Sequence, residues 1–136
     1  MALGAHFLGL DLENITMMKS VARTAVPQND YEPSWHYDYG GNGLEITNTV
    51  PAIFGAIWAS YKQYLWTGSA DWINDPVLFG YYKNTVTAYL EHHDNNIPNN
   101  GIADATGQGE WENIATYGEH SQTVKEAADG IGMQYQ

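Results

Sequence analysis

The amino-acid sequence predicts an all-α chain of antiparallel helical hairpins, and three observations predict it. Apolar residues recur at three- and four-residue steps in four separate stretches, the period of a helix with one buried face. No segment alternates apolar and polar residues for long, Tyr37 to Tyr39 being the only hint of a strand. The connections between the helical stretches run long, short, long, the rhythm of helices that go up and down.

The first stretch, DLENITMMKSVARTAV, carries acid in its opening turn and then Ile15, Met17, Met18, Val21 and Ala22 at helical spacing. It predicts a helix over about 12–25, ended by Pro27. Residues 27–48 hold two prolines, three glycines and no helical period, so they read as a long connection. Asn48 or Thr49 can then cap a second helix, Pro51 fits its first turn, and Ile53, Phe54, Ile57, Trp58, Tyr61 and Leu65 form its apolar side as far as Gly68. SADWIND is a short link with Asp75 as cap and Pro76 at the first helical position. Val77, Leu78, Tyr81, Tyr82, Val86, Tyr89 and Leu90 mark a third helix closing near His93. Residues 94–119 form the second long connection. Ser121 then caps a fourth helix with Val124, Ala127, Ala128, Ile131 and Tyr135 on one side. At Trp58, Trp66, Tyr61, Tyr81 and Tyr82 helical spacing favours helix packing over ligand stacking.

The composition sets the class of partner. A chain of 136 residues, 43% hydrophobic, has enough material for the core of one domain. Its net charge of -11, with five Lys and Arg against 16 Asp and Glu, repels phosphate backbones and anionic headgroups, which excludes nucleic acid and acidic membranes as partners. Five Trp and ten Tyr stand against a charged fraction of only 15%, a profile suited to an uncharged, polyhydroxylated ligand. No cysteine is present, so disulfides and thiolate metal sites are excluded. The start, MALGAHFLGL, has neither the basic opening nor the long apolar run of a signal peptide, and no stretch is long enough to span a bilayer.

In an up-and-down array every second connection returns to the same end, so both long connections are expected on one face. Each brings carboxylates and aromatic rings, and neither alone could enclose a ligand.

The segment TVPAIFGAIWASYKQYLWTGSADWI, with Tyr61, Tyr64, Thr67, Gly68 and Trp72 after an aromatic helix, and the loop GIADATGQGEWEN resemble one hairpin turn of the six-hairpin glycoside hydrolases, the (α/α)6 toroids. The resemblance covers nearly the whole chain. It implies a glycosidase fold of twelve helices, of which about four are present, so the chain reads as part of one toroid with the remainder of the catalytic domain as its partner. The closing MQYQ lies inside a helical pattern without a Gly or Pro stop, which points the same way. A small four-helix protein that oligomerises to cover its open face is the alternative.

Glycoside hydrolysis needs two carboxyl groups, one giving a proton to the leaving oxygen and one activating water or attacking the sugar. The long connections offer Glu32, Asp38 and Glu45, and then Asp94, Asp104, Glu110, Glu112 and Glu119. The resemblance singles out Glu112, between Trp111 and Asn113, as the acid; burial against Trp111 would raise its pKa as a proton donor requires. Many relatives carry Asp at this place, and the family's acidic loop is here mostly Asn. Trp35, Asp38, Trp111 and Tyr117 are the expected sugar-binding residues. For each carboxylate a cap or loop hydrogen bond is the competing assignment, and at Asp38, within SWHYDYGGNG, ligand binding and packing stay open. The second catalytic carboxylate is expected beyond these residues.

Other chemistries find little support. Asp94, Asn95, Asn96, Asn99, Asn100 and Asp104 are hard oxygen donors, yet Pro98 breaks the spacing of a calcium loop, and an Asx-turn loop is the simpler reading. His92 and His93 diverge by about 100° on a helix and do not share one ion. No metal or cofactor is expected. No nucleophile elbow or phosphate loop occurs. Neither long connection contains Arg or Lys to neutralise a uronic acid, which weighs against a lyase. A non-catalytic helical carbohydrate-binding or structural module remains the alternative of a different class.

Overall fold

A computed structural model describes residues 2–46, 50–94, 100–104 and 128–136. The chain is mainly α. A short helix α1 (Ala2–Ala5) runs into a 3-10 turn, and α2 (Asp11–Thr24) follows. Then come β1 (Ser34–Tyr37), β2 (Gly43–Ile46), α3 (Val50–Thr67), α4 (Asp71–Asn74) and α5. Helix α5 consists of Pro76–Asn84, a π-helical turn Thr85–Tyr89 and a last α turn Leu90–His93. Ala128–Gln134 forms α6.

The boundaries follow local chemistry. Asp75 accepts hydrogen bonds from the backbone N–H of Val77 (2.9 Å) and Leu78 (3.3 Å), so two donors left over at the start of α5 are satisfied, with Pro76 where no donor is needed. Its other oxygen takes Lys19 Nζ at 2.6 Å and ties α2 to the start of α5. Gly68, at φ +66°, ends α3 by donating to the Tyr64 carbonyl at 2.8 Å, a left-handed stop that glycine adopts without a Cβ clash.

Two apolar clusters hold the helices together. Met18, Ala22 and Ala25 meet Trp72, Leu78 and Tyr81, with Ile57 and Tyr64 of α3 at their edge. Ile53 and Phe54 meet Tyr89 and Ala103, flanked by Tyr31, Leu90 and Met133. Between the two, the buried Tyr81 hydroxyl donates to the Ile53 carbonyl at 2.7 Å, and Phe54 meets Tyr89 edge to face at 5.9 Å. The aromatic residues expected in helix packing divide: Tyr81 is buried and Tyr82 and Trp58 partly so, whereas Tyr61 and Trp66 are 53% and 43% exposed. Helix α3 is apolar around much of its circumference, so its periodicity does not select one face.

The first long connection also contains structure that the sequence reading did not include. β1 and β2 form an antiparallel hairpin with shifted register at His36. Asp38 builds its turn: one carboxylate oxygen accepts from Gly40 N and Asn42 N, the other from Asn42 Nδ2 at 2.8 Å. The hairpin lies on α2, where Thr24 Oγ1 accepts from Ser34 N at 2.8 Å and meets the Tyr37 hydroxyl at 3.1 Å. Gly43 allows this approach, because a Cβ there would run into Ser34 Oγ and come within 2.8 Å of Thr24 Cγ2. No helix of the described residues is long and apolar enough to cross a membrane.

Candidate functional site

The two long connections meet at the C-terminal end of α5. Pro27–Asn29 is a single 3-10 turn, and Asp30 ends it in the left-handed region at φ +52°. Tyr31 continues at φ +64°. Two successive non-glycine residues in that region each cost roughly 1–2 kcal/mol, and hydrogen bonds hold them there: Tyr31 N donates to Val26 O at 3.0 Å and Glu32 N to Asn29 O at 2.8 Å. Strain of this kind persists where surrounding structure over-determines it.

The strained turn places Asp30 against both histidines at the end of α5. His92 Nε2 lies 3.2 Å from the Asp30 carboxylate, and His93 Nε2 lies 3.2 Å from the Asp30 carbonyl. The rings stand edge to face, 4.8 Å apart. They approach different atoms of one residue, as divergent helical neighbours must. His93 is buried against Tyr89, with ring centres 4.3 Å apart, and its Nε2 is 3.8 Å from a carboxylate oxygen of the buried Glu32. Burial pushes the His93 pKa below its ordinary value; the bond to the Asp30 carbonyl opposes this, His92 adds repulsion, and Asp30 adds attraction.

The second connection returns to the same place. Asp104, fully buried, donates its backbone N–H to the His93 carbonyl at 2.9 Å. Asp94 accepts from Gly101 N at 2.9 Å and Asn100 from Ile102 N at 2.8 Å, so two of the residues considered as calcium ligands serve as turn formers. Gln134 of α6 clamps this turn from outside: its Oε1 accepts from Ala103 N at 2.9 Å and its Nε2 donates to the Gly101 carbonyl. Above the turn of α5 lies an open depression of about 290 Å³ lined by Tyr31, Ala88, Glu91 and His92. Ala88 belongs to the π-helical turn, a feature often found at functional sites. Among the described residues no group of three His, Cys, Asp or Glu could hold a metal ion.

Of the residues singled out from sequence, Trp35 sits on β1, and Asp38 is exposed in the hairpin turn. The hydrogen bonds around Asp38 hold its carboxyl below the usual carboxylate range, the Asn42 side chain contributing most. Glu112, Trp111 and Tyr117 lie outside the described residues. Asp30, Tyr31, Glu91 and the histidine pair were not picked as ligand-contacting residues; from the sequence, 27–48 stood out only as a long connection without helical period. Comparison of the chain with protein-family models, curated proteins and solved structures found no match in any of the three.

Proposed function

We propose that the chain is part of an (α/α)6-toroid glycoside hydrolase that cleaves a neutral or weakly charged oligosaccharide with carboxylate acid catalysis. Glu112 gives the proton to the leaving oxygen, and Trp35, Asp38, Trp111 and Tyr117 shape the sugar site. The observation that carries this reading is the meeting of the two long connections: Asp30 and Glu32 of the first lie against His92 and His93 of α5, and Asp104 of the second is bonded to His93. Asp104, eight residues before Glu112 in the sequence, is thereby held beside these carboxylates and rings. A net charge of -11 and the depression's own Glu91 favour an uncharged ligand over an anionic one.

The intact protein should release sugar from a panel of aryl glycosides and neutral oligosaccharides. Glu112→Gln should lower kcat by about 10²–10⁴, the usual contribution of a positioned general acid, while leaving the thermal unfolding midpoint unchanged. Undiminished turnover would remove Glu112 from the acid role. Glycan binding without turnover would instead favour the non-catalytic binding module.

A further inference from the structure

We infer that the depression over Tyr31, Ala88, Glu91 and His92 is a subsite for one neutral pyranose ring; its ligand class rests on the glycan reading above. At about 290 Å³ it is at the lower limit of ligand clefts, which begin at about 300 Å³, so it has room for a single ring. Its lining has the two characters a sugar needs. The Tyr31 ring offers an aromatic surface for the apolar C–H face of the ring. Glu91, exposed on the last turn of α5, and the paired His92 and Asp30 offer acceptors and a donor for hydroxyls at the edge.

Two backbone features converge on this spot. A bulky residue at φ +64° is disfavoured, and Gly or Asn would serve the turn better. The ring is what tyrosine adds there, one part packed against the Ile53, Phe54 and Tyr89 cluster and another lining the depression. The π-helical turn Thr85–Tyr89 contributes Ala88, a small side chain, to the lining. An anion would meet the carboxylates of Asp30 and Glu91 without a described Lys or Arg in the lining. Among the described residues no group of three His, Cys, Asp or Glu is placed to hold a metal ion here.

Calorimetry on the intact protein with methyl glucosides and methyl xylosides of both anomers tests this. Tyr31→Gly removes the ring and suits the left-handed backbone, and is expected to weaken binding about tenfold; Tyr31→Phe keeps the stacking surface and stays within about twofold. Glu91→Gln, at an exposed position, is expected to weaken binding severalfold without touching the core. If the wild type binds or cleaves glycosides and Tyr31→Gly and Glu91→Gln both bind like it, the subsite is wrong while the glycan reading stands. If the wild type neither binds nor cleaves any glycoside, the glycan reading falls and the subsite with it.

Discussion

His93 is the residue on which both long connections converge, the first at its ring and the second at its carbonyl, and the burial of its side chain has a pH signature. Its pKa in the folded chain lies below the ordinary 6.5, chiefly through desolvation. The unfolded chain therefore takes up a proton at a pH where the folded chain does not, and stability rises with pH across that window. The contribution is complete above about pH 6.5 and is lost as pH falls through the lowered value. The urea midpoint of the wild type should decline on acidification through this range, and His93→Gln should decline less steeply; parallel curves would show that His93 stays accessible to protons. Asp75 behaves as a depressed acid, held down first by the bond from Lys19. Its stabilisation is present above pH 3.8 and fades as pH falls below it. Asp75→Ala should cost roughly 1–2 kcal/mol at neutral pH, as loss of a helix cap does, measurable by urea denaturation.

The elements differ in how far they could be read from sequence. Helices α2, α3 and α5 were legible because local signals accompanied residues at helical spacing: an acidic first turn in α2, Pro51 and Gly68 around α3, and Asp75 with Pro76 at the start of α5. The β1–β2 hairpin was not, since four residues per strand give too short an alternation and its stability comes from contact with α2. That contact predicts that Gly43→Ala lowers stability by about 1–3 kcal/mol through overpacking; Ser34→Gly in the same chain should restore part of the loss. The left-handed pair Asp30–Tyr31 was equally hidden, because tyrosine carries no signal for positive φ. The Gln134 clamp joins segments distant in sequence, and no local pattern announces it. Gln134→Leu should speed amide exchange at Ile102 to Asp104 while moving the global midpoint little, since each lost hydrogen bond is worth about 1 kcal/mol and lies near the surface.

For the whole molecule, charge and apolar surface pull in opposite directions. With 16 acidic against five basic side chains, repulsion opposes the compact state. Raising ionic strength from 0.01 to 0.15 M shortens the screening length from about 30 Å to about 8 Å and should raise Tm by a few degrees. At the same time Phe7, Leu8, Leu12, Leu65 and Phe79 are more than half exposed. The mainly helical class could be read from the chain because it depends on period and punctuation. The candidate rim was only half legible: the sequence marked which segments carry carboxylates and rings, but His93 as their meeting point depends on packing across three elements.

The proposed role of Glu112, protonation of a departing sugar oxygen, is open to a direct test through leaving-group dependence. In the intact protein, Glu112→Gln should slow hydrolysis of phenyl glycosides by about 10²–10⁴ yet leave dinitrophenyl glycosides, whose leaving group needs no proton, nearly as fast as in the wild type. Equal losses on both substrates, or no loss on either, would contradict it.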